Sequence, residues 1–474
     1  SISDNGNTYS CYITNCSGNS NVTSNAATLT VTNNTPSQVI INNIIKNNTR
    51  FTNPKQLWSG YTNQIADVIK ICADASNATE ITFVNNTGIN SNNLRFLISS
   101  DTSGSNSDKS GYFIRDANNL SIVGNTIKAK YTHPKYLEAQ YKPSRPDSII
   151  IVDVNNINVR LFSIPIQIYR APVVMVHGFT GGGNGEAFIQ TKYDLYERGN
   201  YTASLLHIAD YHTNSLKSFQ VNSDVVPKKI DWVFKWLRAA NYSSGKVDLI
   251  GFSMGGILSR MHLQSSNYGS RDDVHKLITI NTPHTGAQPA NLIKNNDVAR
   301  SFFQKFFYDY LVLDDIGNNN EDFIEYSLGA VNDLSVNSEK LRLLNTSPNI
   351  NRNTVPTHVI STKLNYLRDE SFLTSFILFS MAPLYSMTKE VFKNYVFGGK
   401  DNDGVVTVES QKGDLPHQYY SIYDNQFHIG ANNNDDVVNQ LVLALDKNSS
   451  DSSFFTQNGF LPIDQVSPFR LIPL

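Results

Sequence analysis

Cysteine is scarce in this chain. Among 474 residues there are three, Cys11, Cys16 and Cys72. That number excludes a disulfide-built fold, and no cysteine-histidine metal spacing is present. An excess of one charge is also missing. The 39 lysines and arginines meet 41 aspartates and glutamates, for a formal net charge of −2. Nothing in that balance supports a nucleic-acid partner or a polybasic membrane footprint. No apolar run is long enough to span a bilayer. The strongest candidate, residues 372–387, falls short of the roughly twenty residues needed and carries Pro383. Asparagine is abundant in the loop-like stretches, so the frequent Asn-x-Ser/Thr triplets read as composition rather than glycosylation. A length of 474 residues suits about two or three domains.

Residues 246–256, KVDLIGFSMGG, carry the chemistry. Val247, Leu249 and Ile250 form a short apolar strand, and Ile257, Leu258 and Met261 follow at helical spacing. Between them Gly251, Phe252, Ser253, Met254 and Gly255 make a G-x-S-x-G turn, tight enough to require Gly251 and Gly255 beside the serine. Such a turn lifts the hydroxyl of Ser253 to the end of the strand and above a helix N-terminus, the position of an acyl-transfer nucleophile.

Upstream, residues 172–183 read PVVMVHGFTGGG: an apolar strand, then His177, Gly178 and a glycine-rich loop. Ester cleavage needs fixed donors for an oxyanion, and the backbone N–H groups of Phe179 and Met254 are the candidates. His177 is expected to brace its loop, because the general base should come later in the chain. Downstream, residues 398–410 hold Asp403-Gly404 before the β-prone run 405–408, with Asp401 as an alternative acid. Two histidines follow, His417 in a polar loop and His428 before an amphipathic helix lined by Val438, Leu441, Val442 and Leu445. His428 is the preferred base. Asp248 reads as a structural strand residue.

The order Ser253, Asp403, His428 is that of the α/β-hydrolases. HGF after a strand, GFSMGG at the turn, LITINTPHTGA at 277–287 and NDGVV around Asp403 together resemble the secreted bacterial lipases, the triacylglycerol-lipase-like branch, over roughly residues 170–446. The resemblance implies Ser253 as nucleophile, Asp403 as acid, His428 as base, and Phe179 and Met254 as oxyanion donors. Two residues depart from the pattern: Phe252, where these lipases commonly carry histidine, and Thr180 after HGF. No cofactor is implied. Some such lipases hold a structural calcium near the acid loop, and the pair Asp401 and Asp403 is compatible with one without being evidence for it.

The expected fold class is α/β: an α/β-hydrolase fold with a mostly parallel sheet flanked by helices and a helical lid insertion, preceded by a β-sandwich domain. Residues 1–32, with Asp4, Gly6, Tyr9 and Cys11 before the alternating stretch 24–31, resemble the end of a bacterial Ig-like β-sandwich. The chain is therefore expected to start inside a domain of a longer secreted bacterial protein, extracellular or at the cell surface. Residues 33–55 read as a linker and 56–168 as the β-sandwich, from short β-prone runs at 80–84, 94–98, 112–114, 121–123, 148–154 and 158–162. The stretch 54–73 is expected to be helical at its end. Residues 169–447 form the catalytic domain, with a helix at 227–240 and a lid-like insertion at about 287–397. That insertion contains the apolar stretches 298–313 and 372–387, read either as extra core or as a lid over an acyl-chain pocket. Asp333 reads as structural. Residues 448–474 read as a C-terminal extension or linker.

The expected function is a serine hydrolase of carboxylic esters, a lipase acting on acylglycerols, with a lipid or ester substrate met at a lipid–water interface, no nucleic acid and no transmembrane segment. The alternatives are a short-chain esterase, depolymerase or acyltransferase using the same triad, or a catalytically silent surface-binding module.

Overall fold

The computed structural model of the chain describes residues 68–114, 119–141, 143–179, 187–295, 297, 300, 328–346, 355–365, 389–460 and 462–463, with the backbone of six short strands before residue 68. The stretch 298–313 apart from Arg300, the stretch 372–387, and the side chains of the Ig-like region with Cys11 and Cys16 lie outside these residues.

The α/β part is built on six strands: β1 (Val173–Val176), β2 (Leu206–Ala209), β3 (Val247–Phe252), β4 (Val274–Ile280), β5 (Thr357–Lys363) and β6 (Tyr420–Asp424). Their order is β2-β1-β3-β4-β5-β6 and every neighbouring pair is parallel. Parallel strands need crossovers, and helices supply them: α1 (Ile189–Glu197), α2 (Val225–Ala239) and α3 (Met254–Leu263), with α4 (Asp435–Asp446) packing after β6. Helices cover both faces, so β1, β3 and β4 are buried along their whole length. Polar residues inside them find partners: His275 Nδ1 lies 2.8 Å from Asp248 Oδ1, and Lys276 Nζ donates to the carbonyls of Ala444, Leu445 and Lys447, closing the end of α4.

The structure corrects the reading of 287–397 as one insertion. β5 lies inside that interval and pairs with β4 and β6, so the interval is two stretches on either side of a sheet strand. The signal was the β-prone run after Pro356, buried from Thr357 through Thr362. Residues 448–460 are likewise no free linker. Phe455 and Phe460 are buried, Phe454 stacks on His358 at 4.0 Å, and Thr456 bridges to Thr357.

Before β1, besides two two-stranded pairs within residues 8–28, stand two larger sheets. One is antiparallel and contains Gln38–Asn43, Lys55–Trp58, Thr79–Val84, Tyr112–Phe113, Leu120–Val123 and Thr126–Thr132. The other holds Ile69–Ala73, Leu94–Ile98, Ser144–Asp153, Asn156–Arg170 and, from the α/β part, Tyr242–Ser243. Phe83, Ile127 and Tyr131 of the first share one buried cluster with Phe96, Ile151 and Ile166 of the second. The stretch expected to end as a helix is the strand Ile69–Ala73, whose Ile69 and Ile71 favour a pleated surface.

The two parts are tied by more than chain continuity. Tyr242–Ser243 pairs in parallel with Ile69–Ala73. Just beyond, the buried Asp74 accepts from Ser76 N and His133 Nδ1 on one oxygen, and from Ser244 Oγ, Gly245 N and Lys246 N on the other. Burial alone would raise this carboxyl, but His133 and these donors outweigh it and hold Asp74 below the usual carboxylate range. Among the described residues no helix is long and apolar enough to cross a membrane.

Candidate active site

Ser253 stands between β3 and α3 with φ 54° and ψ −126°, a conformation that costs about 1–3 kcal/mol for a residue with a side chain. Neighbouring glycines make the turn possible. A Cβ on Gly251 would strike the backbone of Gly256, one on Gly255 would strike the carbonyls of Val176 and His177, and one on Gly256 would strike Thr282. The backbone N–H of Ser253 donates to Ile280 at 2.9 Å, fixing the turn to the end of β4.

The loop after β1 closes on the serine. A Cβ on Gly178 would come 2.7 Å from Ser253 Cβ and 3.3 Å from its Oγ. Met254 is buried as the first residue of α3, so its N–H has no partner within the helix. Phe179 is half-buried next to Gly178. His177 braces the loop: its Nδ1 lies 2.8 Å from the Gly178 carbonyl, its Nε2 accepts from Tyr211 N at 3.1 Å, and its ring stacks on Tyr211 at 4.0 Å. Tyr211 Oη in turn donates to the His177 carbonyl. Burial lowers the His177 imidazole, favouring the neutral ring that this donor–acceptor pattern requires.

Asp403 and His428 meet Ser253 from the other side. His428 Nε2 lies 2.9 Å from Ser253 Oγ, and His428 Nδ1 lies 2.6 Å from Asp403 Oδ2. The second carboxylate oxygen, Oδ1, accepts the N–H groups of Val405 and Val406 at 3.0 and 2.7 Å. With Nδ1–H donating to Asp403, Nε2 is left to accept the serine proton. Gly404, at φ +90°, passes under Phe427 where no side chain fits.

The β-prone run 405–408 is not a strand. Asp403 draws the backbone into a turn, and Thr407 then caps the helix Val408–Lys412 by accepting from Ser410 N. Asp401 points away, exposed and paired with Lys393 at 3.0 Å and Lys363 at 3.6 Å. Asp401 and Asp403 therefore engage separate partners. His417 is exposed and packs on Tyr420. Asp333 accepts Phe219 N at 2.7 Å, a structural role.

Sequence reasoning missed the supports of this site. Buried Gln411 donates to the carbonyls of Thr362 and Val406 and accepts Thr362 N, tying the acid turn to β5. Phe252, noted only as a departure, lies 5.4 Å from the His428 ring and edge-on to Phe188. Tyr211 and Gln411 sit in no recognisable local pattern. Only the fold brings them to the site.

Residues 172–326 match the family model described as palmitoyl protein thioesterase. No curated protein sequence matches the chain. Among solved structures, the mature lipase BlEst2 of Bacillus licheniformis is similar at 21% identity and a TM-score of 0.39, over 58% of this chain and 92% of that one. Lipase 1 of Pelosinus fermentans is similar at 17% identity and a TM-score of 0.39, over 58% and 98%. Phospholipase PlaB of Legionella pneumophila is similar at 14% identity and a TM-score of 0.40, over 60% and 61%.

Proposed function

We propose that this chain is a serine hydrolase that cleaves carboxylic esters of lipids through an acyl-enzyme. The observation that carries this reading is the continuous hydrogen-bonded line Asp403–His428–Ser253 at the end of a strained strand-to-helix turn. His428 Nε2 takes the proton as Ser253 Oγ attacks the ester carbonyl, and Asp403 holds the resulting imidazolium. The N–H groups of Met254 and Phe179 flank the developing oxyanion. His428 then protonates the departing alcohol. In the second half a water gives its proton to His428, attacks the acyl-serine and releases the acid, restoring the serine hydroxyl. No step calls for a cofactor.

The thioesterase match over 172–326 favours a second substrate class, a long acyl chain on sulfur, which passes through the same steps. We read the two sheets before β1 as a β-sandwich that supports the enzyme, and the whole as part of a secreted bacterial protein.

The test is hydrolysis of p-nitrophenyl esters from acetate to palmitate, with matching acyl thioesters, by the native chain and Ser253→Ala. Activity that rises with chain length and vanishes in the variant supports the lipase reading. Preference for thioesters supports the second class. Hydrolysis that survives Ser253→Ala refutes both.

A further inference from the structure

Phe252 is the last residue of β3 and stands directly before the nucleophile. Its ring is buried and leans against the imidazole of His428, with centroids 5.4 Å apart and planes 33° from parallel. Phe188, fully buried, meets Phe252 edge-on at 6.4 Å and 84°. Asn432, four residues past His428, closes the circuit. Its Nδ2 donates to the carbonyl of Ala187, and its own carbonyl accepts from Thr191 Oγ1 at 3.0 Å. In sequence, Phe188 therefore lies between two bonds to the loop that carries the base. Aromatic pairs at these separations hold one another in a defined orientation.

The imidazole is pinned by hydrogen bonds at two atoms. Nδ1 meets Asp403 and Nε2 meets Ser253. Two such bonds fix a line through the ring. They leave it to tilt about that line as far as its tether to the backbone allows. The proposed chemistry loosens it further. Once Nε2 has taken the serine proton, Oγ is bonded to the acyl carbon, and the new N–H must turn to the leaving oxygen. In that interval Asp403 alone holds the ring by hydrogen bonding. A flat surface against the imidazole removes the remaining freedom. A branched aliphatic side chain would fill the space without presenting a plane.

We propose that Phe252 is a positioning residue: braced by Phe188, it holds the plane of the His428 imidazole while the proton passes from Ser253 Oγ to the leaving oxygen. The proposal rests on the reading of Ser253 and His428 as nucleophile and base, and deepens it. Phe252 acts through His428 rather than on substrate, so its effect falls on kcat and not on KM.

The experiment compares the full native chain with Phe252→Leu and Phe252→His. Steady-state kinetics on a soluble p-nitrophenyl ester are measured beside the rate of fluorophosphonate labelling, which needs the base but no product release. Packing alone favours leucine over histidine, whose ring nitrogens would be buried. Positioning predicts the opposite order of activity. Phe252→Leu should lose roughly thirtyfold in kcat, with KM within about twofold and slower labelling to match. Phe252→His keeps a flat ring and should stay within about fivefold of the native kcat. Phe252→Tyr, a second flat ring, should behave as Phe252→His does. Unfolding midpoints show that the variants fold, and Phe252→His should unfold before Phe252→Leu. Native activity in Phe252→Leu, activities that follow the midpoints, or a change confined to KM overturns the proposal and leaves the Ser253 reading intact. A native chain that neither hydrolyses the ester nor takes the label overturns that reading, and the proposal with it.

Discussion

Asp403 and His428 are joined twice. The carboxylate meets Nδ1 at 2.6 Å, and the backbone N–H of His428 donates to the carbonyl of Asp403 at 2.8 Å. The second bond holds the two loops together whatever the protonation of the ring. Asp403→Asn should therefore keep the fold and lose about four orders of magnitude in kcat, because the amide favours the wrong imidazole tautomer. Asp401→Asn, an exposed change that breaks only surface pairs, should stay within about twofold. Steady-state kinetics on a soluble ester compares the two. A larger loss at Asp401 would reverse the assignment.

Gly178→Ala tests the packing of the oxyanion loop on the nucleophile. The new methyl would sit 2.7 Å from Ser253 Cβ, so either the loop or the serine must move. A displacement of this kind should lower kcat by about a hundredfold or more, with a much smaller change in unfolding midpoint. Full activity in the variant would remove the loop from the proposed oxyanion site.

The candidate-site residues were legible because each sits in a local pattern that its backbone demands. Gly251, Gly255 and Gly256 are the residues that a turn with Ser253 at φ 54° must have. Strands with strong periodicity or composition, such as β1 and β3, were equally visible. The losses have physical causes. Thr126–Thr132 alternates Ile127, Ala129 and Tyr131 inward against Lys128 and Lys130, a signal passed over because lysine reads as loop. β5 was hidden inside an apolar interval, and the run 405–408 was overruled by the Asp403 side chain competing for backbone N–H groups. Gln411 and Tyr211 reach the site only through tertiary packing.

Asp74 should be the most sensitive link between the β part and the α/β part. Asp74→Ala would strand His133 and the N–H groups of Ser76, Gly245 and Lys246 without their acceptor. The expected loss is about 3–5 kcal/mol in chemical denaturation. A loss below about 1 kcal/mol would mean that strand pairing at Tyr242–Ser243 suffices to hold the parts together.

Stability should fall on mild acidification. Burial lowers the His358 imidazole to about 4, with Lys447 adding to the effect. In the unfolded chain the same ring titrates near about 6.5, so between these values the unfolded state binds more protons. The contribution is intact above about pH 6.5 and is lost by about pH 4, on the order of 3 kcal/mol. His207, also lowered to about 4, acts in the same direction. Denaturation midpoints across that window should slope upward with pH, and His358→Gln should be less stable near neutrality with a shallower slope. An unaltered slope in the variant would place the titration elsewhere.

The central claim is that Ser253 is the nucleophile, and covalent labelling by a fluorophosphonate tests it most directly. Intact mass after labelling, followed by peptide mapping, should show one adduct on Ser253, absent from Ser253→Ala and from His428→Ala. An unlabelled native chain, or an adduct that persists in Ser253→Ala, would contradict the account.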